Sequence, residues 1–441
     1  MKKFSILLVI MLLFSMFTTA VTAEETGSIY FLNYKPEVTE AFEKIAKAYQ
    51  DETGVPTRVV TAASGTYAQT LTKEMDKEEA PTIFVVDSPL MFSQWQSYTA
   101  DLTDSKLASF LADDTYTMKA DDKIYGISYA LEAWGIIVNK DILNKYFEME
   151  GKATEVSSID DLYTFANLKA VVEDMQANKD KLGIEGVFAS TSMKPGDDWR
   201  FQTHLMNTPL YWEFDKDIDL AGEIPSFEFK YAENFKNIFD LYLNNSIIDR
   251  KLVGQKTVSD SMAEFSLGKC AMVQNGDWSW GQITGTEGTV VKPEDIGFIP
   301  ITIGVEGEEE MGLSVGASQY MCINKNATEA NQKASLEFLE WLFSSDMGKE
   351  FVAKDLQFVT PFTTMADAEY TNYLFASENE ITAKGKKGYP WVVSLIPSDQ
   401  WKSNYGANLL AYAQEQIDWE EVVQLAVEDW AIEAEIVNAT K

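Results

Sequence analysis

The sequence predicts an α/β protein organised as two domains, and three observations carry that reading. The chain has 441 residues, about three times the length of a common single domain. Its N-terminal part alternates strand and helix patterns at the spacing of a parallel sheet with right-handed crossovers. Each of the first strands is followed by polar or aromatic residues, at the strand ends where open α/β sheets bind ligands.

The elements follow in order. Ile29 to Leu32 is a short apolar run with strand character. Val38, Phe42, Ile45, Ala46 and Tyr49 place one apolar stripe on a helix, with Pro36 suited to its first turn and Gly54 to its stop. Thr57 to Thr61 is rich in β-branched residues and reads as a second strand. A second helix fits Tyr67 to Lys77, and Thr82 to Val86 is apolar enough for a strand buried on both faces. Asn33 and Tyr34 follow the first strand, Ser64 and Gly65 the second, with Tyr67 close by, and Asp87 and Ser88 the third. An amide, hydroxyls, a carboxylate and aromatic faces are an inventory suited to a polyol.

Farther along, Ile124 to Ala130 and Gly135 to Val138 flank Leu131-Glu132-Ala133-Trp134, a kink expected to mark a crossing between domains. Residues 157–270 read as mainly helical, and Cys270 to Val273 as a strand before a turn, Asn275-Gly276-Asp277-Trp278, that presents a tryptophan. Gly304 to Gly312 reads as a loop, Ser318 to Asn324 as a strand and Thr328 to Phe343 as a helix.

Composition narrows the function classes. Hydrophobic residues make up 46% of the chain, which suffices for ordinary cores. The formal net charge is −33 with a pI of about 4.3, so nucleic acid is excluded as a partner. Lys2 and Lys3, the apolar run Phe4 to Phe17 and the small residues ending at Ala23 are the three regions of a secretory signal peptide. Export is therefore expected, with no cysteine at the cleavage point to carry a lipid anchor. Cys270 and Cys322 sit in apolar strand-like runs and are expected to be buried free thiols.

Catalytic motifs fail on context. Gly312-Leu313-Ser314-Val315-Gly316 matches a nucleophile elbow, but the only histidine, His204, precedes it. Asp215, Asp217 and Asp219 begin like a calcium loop, yet Leu220 stands where the glycine belongs. No metal site, no cofactor and no catalytic residue is expected.

Several segments resemble the extracellular solute-binding proteins of carbohydrate ABC transporters, the maltose-binding-like family 1 group. They include Tyr30 to Glu37, Ala62 to Tyr67, Ala80 to Asp87, Tyr125 to Tyr129 with Ile137 to Lys140, Gly268 to Met272 with Asn275 to Trp278, Ile323 to Lys325, and Phe358 to Phe362. The resemblance implies a two-lobed periplasmic-binding-protein-like fold of type II, with the ligand between the lobes. After a signal peptide at 1–23, it assigns 24–130 and 311–360 to the first lobe, and 131–310 and 361–441 to the second. The expected hinges are Ala130–Ala133, Ile301–Met311 and Val359–Phe362. It also implies a carbohydrate ligand, an oligosaccharide, delivered by a monomer to membrane permease subunits.

The expected binding set is Asn33, Tyr34, Ser64, Tyr67, Asp87, Glu132, Trp134, Asp198, Trp199, Asn275 and Trp278. Trp278 and Tyr34 would stack on sugar rings, with Trp134 and Trp199 next, because an aromatic face matches the apolar C–H face of a ring. Asp87, Glu132, Asp198, Asn33 and Asn275 would bond hydroxyls. Arg200 is expected near the same cleft. Two alternatives stay open, a receptor for a non-sugar solute such as a polyamine and a secreted carbohydrate-active enzyme.

Overall fold

The computed structural model describes residues 26–439 except 64, 215–217, 221 and 318. The expected signal peptide and Ser64 lie outside the described residues. Among the described residues eleven strands form two sheets. In chain order they are β1 (Ile29–Asn33), β2 (Thr57–Thr61), β3 (Ile83–Val86), β4 (Thr117–Ala120), β5 (Lys123–Ser128), β6 (Leu131–Asn139), β7 (Met272–Gly276), β8 (Ile296–Ile299), β9 (Met311–Ala317), β10 (Tyr320–Ile323) and β11 (Lys387–Pro390).

The first sheet has the order β2-β1-β3-β10-β5-β4. β1 lies between β2 and β3 and is parallel to both, with Phe31 opposite Val59 and Ile83. Burial follows from position. β1 and β3 are covered on both faces, whereas the edge strand β2 alternates. The helix Thr39–Thr53 begins after a Pro36–Val38 turn and stops at Gly54, whose φ of 75° any side chain would strain. It buries Phe42, Ile45 and Tyr49, and Phe42 meets Phe31 edge-on at 5.2 Å. Each such ring contributes about 1.5–3 kcal/mol by leaving water.

The second sheet runs β11-β9-β6-β7, and β8 also pairs with β6. β6 is its spine. Its first half pairs with β9, its second half with β8, and β7 runs along the other edge. The helices Asp399–Ala413 and Trp419–Asn438 close this lobe, with Trp401 Nε1 donating to Ala426 O at 2.9 Å and Trp430 Nε1 to Pro225 O at 2.8 Å. Cys322 belongs to the first core and Cys270 to the second, both as free thiols. Among the described residues no helix is long and apolar enough to cross a membrane.

The connections between lobes correct the expected boundaries. The chain crosses first at Tyr129–Ala130, between β5 and β6. It returns only between Ala317 and Tyr320, because Met311–Ala317 pairs with β6 and so belongs to the second sheet. Ile301–Met311 is therefore not a hinge. Ile301 and Ile303 are buried in the second core, and the Glu308 carboxylate accepts from the Ile303 and Gly304 amides. Phe362 and Met365 belong to the first core, Ala368 and Tyr370 still pack against it, and Leu374 belongs to the second, so the third crossing falls within residues 371–373. Val359 does touch a crossing, since its carbonyl accepts from Leu131 N–H at 2.7 Å. Ser314, in the sequence that mimics a nucleophile elbow, lies mid-strand and accepts from Asn207 Nδ2 at 2.9 Å.

Candidate functional site

The residues that follow β1 and β3 meet the second lobe. Asn33 ends β1 fully buried, and its amide is consumed locally. Its Nδ2 donates to Lys35 O at 2.8 Å and Thr61 Oγ1 at 3.1 Å, while Oδ1 accepts from Lys35 N–H at 3.1 Å. These bonds shape the turn that carries Tyr34 and Lys35. Tyr34 is half-buried, packs on Tyr67 with centroids 4.8 Å apart and donates to Asp87 Oδ2 at 3.3 Å. Burial, then Asp87 and Asp399, push its phenol well above the ordinary range. Tyr67 is an anchor of the first core. Its hydroxyl accepts from Val85 N–H at 2.7 Å and donates to Leu32 O at 3.3 Å, so both of its bonds stay within the first lobe.

The lobes touch across the cleft. Lys35 Nζ forms an ion pair with Glu132, at the start of β6, and a longer one of 3.3 Å with Glu37. Burial alone would lower the Lys35 pKa, but Glu132 and Glu37 outweigh it and hold the ammonium above its ordinary range. Lys35 Nζ also lies 5.7 Å from the Trp278 ring centroid. The backbones of Gly65 and Gly196 approach so closely that a methyl group on Gly65 would sit 3.7 Å from Gly196 Cα. Lys402 of the second lobe pairs with Asp399 at 3.0 Å, and both Asp399 and Asp87 act to raise its pKa against burial.

The second lobe supplies a wall of aromatic rings. Trp278 and Trp199 are half-buried with centroids 6.1 Å apart. Trp278 lies flat over Gly276, where a Cβ would come within 2.1 Å of the indole, so only glycine permits this seat. Trp199 is backed by the Arg200 guanidinium at 3.8 Å. Trp134 is buried behind them, stacked on His204 at 4.1 Å and on Trp391 at 4.3 Å. It belongs to the back of the wall and not to its face. His204 is held neutral, because burial, Arg200 and Lys35 all lower its pKa well below the ordinary value. Trp134 Nε1, Trp278 Nε1, Trp391 Nε1 and His204 Nδ1 are buried without a partner among the described residues.

Two further expected residues have structural work. Asp198 Oδ1 accepts from Gly196 N–H at 3.1 Å, and its Oδ2 fills the place that a Cβ on Gly406 would need, 2.0 Å away. Asn275 Oδ1 accepts from Arg200 Nε at 3.2 Å and Gly276 N–H at 3.0 Å, and its Nδ2 donates to Met262 Sδ at 3.1 Å. The fold thus gathers Tyr34, Asp87, Glu132, Trp199 and Trp278 around the cleft. Asn33, Tyr67, Trp134, Asp198 and Asn275 support it from behind. Sequence reasoning missed Lys35, His204, Trp391 and Lys402. Only Lys35 carried a signal, as the neighbour of Tyr34 after a strand. Asp277 is a further buried acid of this region, accepting from Ala133 N–H at 2.7 Å, and burial followed by Glu132 and Glu378 raises its pKa well above the usual range.

Comparison with known proteins places this geometry. No curated protein sequence matches the chain. Among solved structures, the chain is similar to the solute-binding protein RafE in complex with raffinose, at TM-score 0.69 and 15% identity over 93% of this chain and 100% of that one. The apo form of RafE from Streptococcus pneumoniae superposes at TM-score 0.62 with 15% identity, over 93% and 98% of the two chains. The maltose/maltodextrin-binding domain MalE from Bdellovibrio bacteriovorus, bound to maltotriose, gives TM-score 0.66 at 16% identity over 93% and 99%. At these identities the likeness establishes the two-lobed periplasmic-binding-protein fold. The family model described as bacterial extracellular solute-binding protein matches residues 44–377, and the chain belongs to that family.

Proposed function

We propose that this protein is the extracytoplasmic binding component of an ABC importer. It takes an oligosaccharide into the cleft between its lobes and presents the closed form to membrane permease subunits. The observation that carries the sugar reading is the pair of half-buried indoles, Trp199 and Trp278, set across from Tyr34 and Asp87. Flat apolar faces beside buried hydrogen-bonding groups suit a ring that has both C–H faces and hydroxyls. The ligands bound in the similar structures, raffinose and maltotriose, support the same class.

Closure follows from differential contact. A ligand that touches both walls stabilises the closed state by the contacts it lacks in the open one. Export by the residue 1–23 signal and residence outside the membrane belong to the same proposal.

A cationic solute such as a polyamine is the second reading, favoured by one contact. The Lys35 ammonium rests between Glu132, Glu37 and the Trp278 ring, as a ligand ammonium would. Thermal unfolding of the mature protein against oligosaccharides and polyamines separates the two. Saturation at 100 times Kd stabilises by about 2.7 kcal/mol. A shift with one oligosaccharide class and no product by chromatography supports the proposal. A shift with polyamines alone overturns it.

A further inference from the structure

Behind the Trp199 wall the second lobe holds a small, partly open cavity of about 20 Å³, bounded by β7, residues 188–192 and the helix Val258–Ser266. It has room for one water-sized body. Its lining includes four residues with buried polar atoms that have no partner among the described residues, Thr191 Oγ1, Arg200 Nη1, Tyr242 OH and Gln274 Oε1. That concentration is unusual, because buried polar groups are almost always satisfied.

Arg200 is the exceptional member. It is 4% exposed, and its one hydrogen bond to a side chain goes to the neutral Asn275. Among the described residues no carboxylate pairs with it. Glu37 and Asp197 act on it only from beyond ion-pair distance, and burial lowers its pKa to about 9, so it remains a cation at neutral pH. A buried cation without a counter-charge is strongly disfavoured in a low-dielectric interior. A water molecule would satisfy the polar atoms and leave that charge uncompensated.

We propose that this cavity is a binding site for one small monovalent anion of the halide class, held by the Arg200 guanidinium and the Thr191 and Tyr242 hydroxyls. All three can donate to it. A cavity of this size, near that of one water, suits a monatomic ion better than a tetrahedral oxyanion. Among the four unpartnered atoms Gln274 Oε1 is the one pure acceptor, its Nε2 being committed to Arg200 O at 2.7 Å. It disfavours any ion large enough to touch it, and it makes bound water the outcome the test must exclude. The ion would hold Arg200 against Trp199, and so firm the aromatic wall from behind whatever ligand the cleft takes.

The test uses the whole mature protein dialysed into sodium gluconate. Bromide replaces gluconate at constant ionic strength while the melting temperature is followed. The expected result is a saturable rise of about 2 °C or more, with an anomalous bromide peak inside the cavity in crystals grown in bromide. Arg200→Met should abolish both. Should that variant fail to fold, Thr191→Val keeps the cation, removes one donor, and should raise the bromide midpoint several-fold. No bromide dependence, cavity density without anomalous signal, or an unchanged midpoint in Thr191→Val would each overturn the assignment.

Discussion

Lys35 of the first lobe is ion-paired with Glu132 of the second, and both side chains are almost completely buried. The pair joins the turn after β1 to the first residues of β6, immediately beyond the first crossing. Its attraction therefore acts across the cleft and favours the lobes in contact. Removing one partner leaves a buried charge behind. Lys35→Met is expected to cost about 3–5 kcal/mol in urea unfolding, whereas Lys35→Met combined with Glu132→Leu costs markedly less. Equal losses in the single and double variants would show that the pair does not hold the lobes.

Trp278→Ala should weaken oligosaccharide binding by one to several kcal/mol, consistent with about 0.5–1.5 kcal/mol per aromatic contact beyond area burial. The fold should persist, since the indole lies half-buried at the wall. Isothermal calorimetry checks this, and an unchanged Kd would remove Trp278 from the site.

Gly276→Ala tests the seat of the same ring without altering its chemistry. A Cβ at 276 would meet the indole at 2.1 Å, so the ring must shift. Tryptophan fluorescence should change and ligand affinity should fall, while the melting temperature moves less than affinity does. Retained affinity would mean that the orientation of Trp278 is immaterial.

His204 provides a clean reading of pH, as the only histidine in the chain. Its folded pKa is lowered, first by burial and then by Arg200 and Lys35. The unfolded chain therefore binds a proton that the folded chain refuses. Stability from the neutral imidazole is fully present above the unfolded pKa of about 6.5 and declines as pH falls below it, by at most about 1.4 kcal/mol per pH unit. Buried acids such as Asp277, whose pKa is raised, act with the opposite sign. The difference between the native protein and His204→Phe isolates the histidine, because phenylalanine keeps the stack on Trp134. That difference should grow in favour of the variant between pH 7 and 5, an interval set by the same unfolded pKa of about 6.5. A constant difference would mean that His204 titrates normally.

The local pattern of the chain was enough to read the first half-lobe. The strand–helix alternation from Ile29 to Val86 was legible because hydrophobic period, β-branched runs, Pro36 and Gly54 act within a few residues of themselves. The same information placed Tyr34 and Asp87 at strand ends, and the burial of Cys270 and Cys322. Periodicity reports that a face is buried, but not what covers it. Hence Met311–Ala317 could not be assigned to the second sheet before its pairing with β6 was seen. Nor could Asn33, Tyr67, Asp198 and Asn275 be told from ligand contacts, because a polar side chain has the same appearance in sequence whether its partner is a sugar or a backbone amide. Lys35 and Glu132 are 97 residues apart, and Gly316 meets Trp391 across a comparable stretch of chain. Such encounters are decided by how the lobes pack, since only tertiary structure brings distant charges and rings within the few ångströms over which they act.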